Sequence, residues 1–304
     1  MSDESSPEAS IPDDLVGPFQ IEGEPVRGRI ARLGGSVDTI LKAHDYPEPV
    51  ANLLGEACAL AALVGSNLKF EGRLIVEARG NGPVRYVIAD YDTGGGLRGY
   101  CRFDAEAVAQ VSGGFVRPGA RTLLGDGTFL MTVDQGPDMD RYQGVTAIEG
   151  ETLALCAEQY FAQSEQTPTR VRLAVAHTDG GWRGGGMLIQ NIAEDDARGA
   201  TEEAWTRTQA FFETLGEEEL TDLHLSARQL LFRLFHEDGV RVFEPITLRA
   251  ECRCSQTRIE AVLKSFEPDE RADMVEADGM IRVTCEFCST VYAIAPDKIS
   301  VEAS

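Results

Sequence analysis

At 304 residues, 43% of them hydrophobic and 26% charged, the chain is long enough to bury a sizeable core and to divide into two or three units. A formal net charge of −22 repels phosphate backbones and acidic bilayers, which argues against nucleic acid and membrane surfaces as partners. The start, Met1-Ser-Asp-Glu-Ser-Ser-Pro, lacks the basic residues and apolar run of a secretory leader, and no later stretch reads as a membrane span, so a soluble cytoplasmic protein is expected.

Residues 1–16, rich in Ser, Pro, Asp and Glu, read as a disordered acidic arm. After Tyr46-Pro-Glu-Pro, the run Val50 to Lys69 carries Leu53, Leu54, Ala57, Cys58, Ala61 and Leu63 at mostly helical spacing. From Glu71 the period shortens to that of strands. Leu74, Val76 and Ala78 alternate, Gly80-Asn-Gly-Pro83 turns, and Val84 to Ala89, Leu97 to Phe103, Thr128 to Val133 and Tyr142 to Ile148 follow between glycine turns. A helix from Glu151 to Gln163 would bury Leu153, Cys156 and Tyr160, and strands at Val171 to Ala176 and Met187 to Ile192 close the set. Residues 17–198 are therefore expected to form an α+β domain around a predominantly antiparallel sheet. Within it Cys58, Cys101 and Cys156 read as small packed residues; no Lys, Arg or His lies close to Cys58 in sequence to lower its pKa.

No catalytic arrangement is legible. Gly80-Asn-Gly-Pro-Val-Arg85 has Arg where a dinucleotide fingerprint needs its third glycine, and it lies between strands. There is no Gly-Lys-Ser/Thr phosphate loop, no His-Glu-x-x-His and no Gly-x-Ser-x-Gly, so an enzyme is not expected. His44, His177, His224 and His236 are scattered, and of these His177, beside Thr178-Asp179, is the one candidate for a functional role.

Residues 199–248 have a different character. Thr201-Glu-Glu caps a helix reaching Leu215-Gly216, and a second helix from Glu217 to about His236 sets Leu220, Leu223, Ala227, Leu230, Leu231 and Leu234 on one face. Such helices draw most of their stability from what they pack against. They are either a hairpin permanently docked on the domain or a linker whose folding depends on the module behind it.

That module, residues 249–304, holds four of the seven cysteines. Cys252-Arg-Cys254 is followed, after thirty intervening residues, 255 to 284, by Cys285-Glu-Phe-Cys288. Alternate residues of a strand point the same way, so Cys252 and Cys254 can share one ion, and the two-residue gap of Cys285 and Cys288 is that of a knuckle. One Zn2+ per chain on Cys252, Cys254, Cys285 and Cys288 is the expected cofactor, with structural disulfides or unrelated thiols as the alternative. The spacer carries its own structure: a helix capped by Ser255 through Arg258, Ile259, Val262 and Leu263, then Asp278-Gly279 turning into a strand from Met280 to Thr284.

The chain resembles the 33 kDa heat shock protein family, the bacterial redox-regulated holdase chaperones. The likeness rests on the Cys-x-Cys and Cys-x-x-Cys pairs and on Tyr46-Pro-Glu-Pro, Leu53-Leu-Gly-Glu56, Gly80-Asn-Gly-Pro83, Leu97-Arg-Gly99, Tyr142-Gln-Gly144 and Gln163-Ser-Glu-Gln166. Ser255-Gln-Thr-Arg258 departs from it slightly, where the family more often has a charged second residue.

The resemblance implies an ATP-independent holdase that is inactive when reduced and zinc-bound. It implies that oxidation links Cys252 with Cys254 and Cys285 with Cys288, frees zinc, unfolds the linker and lets the chain bind unfolding proteins. A homodimer when activated and a monomer when reduced come with it. Two competing readings make distinct predictions. A binding module with purely structural zinc would lose function on oxidation, and a thiol-disulfide exchange enzyme using Cys285 and Cys288 would reduce insulin disulfides.

Overall fold

In this computed structural model residues 13–114, 117–136, 139–192 and 198–299 are described. Two strands open the chain, β1 (Leu15–Ile21) and β2 (Val26–Leu33), followed by α1 (Gly35–Leu41) and the long α2 (Glu48–Gly65). Then come β3 (Arg73–Gly80), β4 (Val84–Asp92), β5 (Gly96–Phe103), α3 (Ala105–Val111), α4 (Ala120–Leu124), β6 (Gly127–Asp134) and β7 (Tyr142–Ala147). The helix α5 (Leu153–Tyr160) leads to β8 (Thr169–Thr178) and β9 (Gly181–Asn191), and the next helices are α6 (Arg198–Glu213), α7 (Glu217–Thr221) and α8 (Ala227–Phe235). Short strands β10 (Val240–Val242), β11 (Ile246–Thr247) and β12 (Arg249–Ala250) precede α9 (Gln256–Lys264), α10 (Pro268–Asp273), β13 (Ile281–Thr284) and β14 (Val291–Ile294).

The α+β class holds, but the one sheet expected is two. The first runs β10-β1-β2-β9-β8, with β11 also on β1, and the second runs β12-β5-β4-β3-β6-β7. Every pairing in them is antiparallel except that of β12 with β5. The reason for two sheets is α2. Its sequence is apolar on nearly every face, and a helix of that kind must be covered all round. It lies between β2, β8 and β9 on one side and β3, β4 and β5 on the other. Small residues let the layers close up: a Cβ on Gly65 would lie 2.3 Å from the ring of Tyr91. By length and composition α2 alone among the described helices could cross a membrane, but 78% of it is buried inside this sandwich, as befits a core helix.

The linker helices cover the outer face of the first sheet. Leu230, Leu231, Leu234 and Phe235 of α8 and Trp205 and Phe212 of α6 pack on Phe19, Ile21, Val26, Ile30 and Met187. The long second helix expected over this stretch is broken into α7 and α8, and two buried arginines explain the break. Arg32 donates to the carbonyls of Glu219, at 3.1 Å, and of Asp222, and Arg183 Nε donates to Thr221 O at 3.1 Å. Carbonyls held in this way end α7, and Ser226 starts α8 afresh by accepting from Gln229 N at 3.2 Å. Beyond the expected helices, which end near His236, the chain continues in strand, because β10 and β11 pair with β1. At the other end the expected acidic arm stops short of residue 16. Asp13 pairs with Arg183 at 2.7 Å, and Leu15 and Val16 already belong to β1; residues 1–12 lie outside the described residues.

Apart from Glu48 at its start, Glu56 is the only charged residue on α2. It borders a cavity of about 320 Å³ that also holds Glu158, Arg170, Arg172 and Glu217. Burial first, then the nearby Glu217, push its carboxyl up to about 8, against a weaker opposing pull from Arg117. Between its ordinary value of 4.5 and about 8 the folded chain keeps a proton that the unfolded chain has released. Stability therefore falls as pH rises through that window and levels off above it. Glu56→Gln removes the slope. It should be near neutral below about pH 5 and stabilising by roughly 2 kcal/mol near pH 9, a figure reduced because the cavity admits water to the carboxyl edge. Urea unfolding at the two pH values measures this, and equal effects at both would refute it.

Candidate metal centre

The chain enters the site from the edge of the second sheet. Arg249 N donates to Gly95 O at 3.0 Å and Glu251 N to Leu97 O at 2.7 Å, which fixes the register of the next three residues. Gly95, at φ +88°, is needed for this approach, since a Cβ there would lie 2.1 Å from Thr247 O. Cys252 and Cys254 follow in extended chain. Ser255 then caps α9, accepting from Arg258 N at 3.3 Å as the sequence predicts.

The second pair sits in the turn between β13 and β14. Cys285 N donates to Thr290 O and Ser289 N to Cys285 O, each at 2.9 Å, so the knuckle is closed by its own backbone. Ser289 takes a left-handed φ of 56°, a conformation that costs a side-chain-bearing residue energy. Its hydroxyl is anchored, donating to Ala43 O at 2.6 Å.

These elements bring the four predicted sulfurs within 4.8 Å of one another. Cys252 Sγ lies 3.7 Å from Cys285 Sγ, and Cys254 Sγ 3.4 Å from Cys288 Sγ. Four thiolates about 2.3 Å from one tetrahedral ion would be about 3.8 Å apart, so the spacing fits such a group. As thiols Cys252, Cys254 and Cys288 differ. Burial pushes Cys252 up to about 12 and also raises Cys254, toward whose sulfur Tyr292 OH donates at 3.1 Å. At Cys288 partial burial works upward, but hydrogen bonding with Thr290 and the neighbouring sulfurs outweighs it and brings the thiol down to about 7.

The other three cysteines are in the core, as expected of packing residues. Burial pushes Cys58 up to about 12 and raises Cys101 and Cys156 as well. His177 stands exposed at a hairpin end against Trp182, ring centroids 4.8 Å apart. The histidine that reaches the site is His44, whose Nε2 is 2.7 Å from Glu286 O. Nothing in its sequence neighbourhood signals this, because the contact spans 242 positions.

A family model described as Hsp33 protein matches residues 14–295. The chain belongs to the Hsp33 family. A protein of Caulobacter vibrioides named 33 kDa chaperonin is 68% identical over 96% of this chain and 98% of its own length. The Escherichia coli protein of the same name is 34% identical, covering 92% of this chain and 91% of its own. A crystal structure of the 33 kDa chaperonin of Thermotoga maritima, 23% identical, superposes with a TM-score of 0.79 over 94% of this chain and 96% of that one, which shows the shared Hsp33 fold.

Proposed function

We propose that this Hsp33 chain is a redox-regulated, ATP-independent holdase of a reducing compartment such as the cytoplasm, held inactive while Cys252, Cys254, Cys285 and Cys288 bind one Zn2+. The observation that carries the reading is the sulfur tetrad, gathered at 4.8 Å or less in a module with, among the described residues, four buried hydrophobic side chains, Leu263, Ile281, Ile294 and Ile299. So small a core offers little stability without a metal. Bound zinc would supply folding free energy and keep the four sulfurs as thiolates, the forms that oxidants attack.

The chain's own residues do the rest. Two thiolates give up two electrons to peroxide and join, and the peroxide leaves as two molecules of water after taking two protons. Following the family likeness, Cys252 joins Cys254 and Cys285 joins Cys288, which removes all four donors. Without them the module loses its fold, β12 is freed, and the strain passes through β11 and β10 to α8. The apolar face of the linker and the first sheet beneath it would then meet unfolding client proteins, with dimerisation of the activated chain. The knuckle position of Cys285 and Cys288, between strands, gives no support to a thiol-disulfide exchange enzyme, whose reactive pair usually opens a helix.

Light scattering from a thermally unfolding client tests the proposal. Suppression of aggregation by peroxide-treated chain alone, reversed by a thiol reductant, is the expected result. Equal suppression by the reduced zinc-loaded chain would overturn it. Peptide mapping of the oxidised chain distinguishes pairing within each motif from the cross-motif pairs that lie 3.4 and 3.7 Å apart when reduced.

A further inference from the structure

The residues lying between the cysteines converge on one place. Arg253, between Cys252 and Cys254, pairs with Asp90 of β4. Phe287, between Cys285 and Cys288, lies under the guanidinium of Arg98 of β5, 4.0 Å from carbon to ring centroid. Asp90 and Arg98 are direct cross-strand partners, and Arg98 Nε donates to Asp90 Oδ2 at 2.6 Å. Both halves of the cysteine cluster therefore rest on a single ion pair of the second sheet.

This pair is on the outer face, since its strand neighbours Ala89, Tyr91 and Leu97 point to the core. Asp90 is nevertheless 3% exposed, and its Oδ1 is buried with no hydrogen-bond donor among the described residues. A carboxylate taken out of water needs its charge compensated and its lone pairs filled. Here two guanidiniums compensate the charge on one oxygen, while no described residue donates to the other. Such a group tolerates burial only while both cations are in place. Withdraw Arg253, and Asp90 is better off in water.

The geometry points to Asp90 and Arg98 as a docking latch that reports the state of the cysteine cluster to the sheet domain, with Arg253 and Phe287 as its two keys. Any rearrangement of Cys252 and Cys254 must turn the backbone at Arg253, and any opening of the knuckle must move Phe287. The first event leaves a buried, undercompensated carboxylate under the module, the second strips the ring from the Arg98 guanidinium, and each favours release. The latch makes docking depend on both motifs at once. Its link to chaperone activity rests on the proposed function; the docking role does not.

The test uses the full reduced, zinc-loaded chain, with no oxidant and no client, so its failure is separate from that of the holdase reading. Amide hydrogen exchange at Arg249 and Glu251, which bond across to Gly95 and Leu97, reports docking. Exchange at Cys285 and Ser289, which bond within the knuckle, reports the fold of the module itself. In Arg253→Met and in Asp90→Asn the first two amides should exchange roughly tenfold faster, with the second two unchanged and one zinc per chain retained. The double variant should show less than the sum of the single effects, as for a directly coupled pair. Wild-type exchange at Arg249 and Glu251 in both variants would overturn the latch. So would parallel loss of zinc and of protection at Cys285 and Ser289, which would make Arg253 part of the metal site's own fold.

Discussion

Replacing Cys252 or Cys288 by serine should leave residues 252–299 without stable structure in fully reduced protein, and should weaken zinc binding by more than about a hundredfold. A serine hydroxyl is a poor substitute for a thiolate, so the ion would keep three strong donors and a gap. The module has little else to rely on. Among the described residues its buried hydrophobic side chains are Leu263, Ile281, Ile294 and Ile299, and α10 buries none. Structural zinc contributes on the order of 10 kcal/mol or more to modules of this kind, far beyond what those side chains supply once chain entropy is set against them. Zinc content together with exchange at Cys285 and Ser289 is the measurement. Cys58→Ser, Cys101→Ser and Cys156→Ser should keep both at wild-type values, since those thiols sit in the core of the sheet domain. A Cys288→Ser chain with full zinc and full protection would contradict the tetrad as the stabilising feature.

Phe235→Ala is expected to release the linker by a different route, at a cost of about 3–5 kcal/mol. Phe235 is fully buried and stacks on Phe19 of β1 with ring centroids 5.8 Å apart. Truncation leaves a cavity between α8 and the first sheet that neither rigid layer can fill. Because α8 has only nine residues and gains its stability from this one buried face, the loss should appear as local opening. Limited proteolysis of reduced protein should cut within 227–235 well before the sheets unfold. Phe232→Ala, at a side chain 64% exposed, should change stability by less than about 0.5 kcal/mol and leave the cleavage pattern as it was.

The features legible in the sequence are those encoded locally. Cysteine spacing locates the tetrad because a knuckle and an extended pair are each specified by a few adjacent residues. Helix α2 and strands β3 to β6 are legible because their apolar periods run for a turn or more of helix or several residues of strand. In β2 the run Val-Arg-Gly-Arg-Ile-Ala-Arg-Leu breaks alternation, since the sheet is covered on both faces and its arginines serve as buried tethers. Strands of two or three residues, such as β10 to β12, carry no period at all. The break after α7 depends on Arg32 and Arg183, 187 and 38 positions away from carbonyls they hold. Contacts between Arg253 and Asp90 span 163 positions, and no local pattern announces them.

The linker helices cover the first sheet while the cysteine module sits on the second, so the two communicate along one thread of chain, residues 240–251. That thread is fastened by very short pairings: β12 to Gly96 and Leu97, β11 to Leu15 and Val16, then β10 to three residues of β1. Attachments in series give way in order from the loaded end, like stitches in a seam. Activation of this kind would have a lag, with β12 opening first and α8 last. A brief disturbance at the cysteines could then be mended before the final stitch is lost, so that the seam would act as a filter against short exposures.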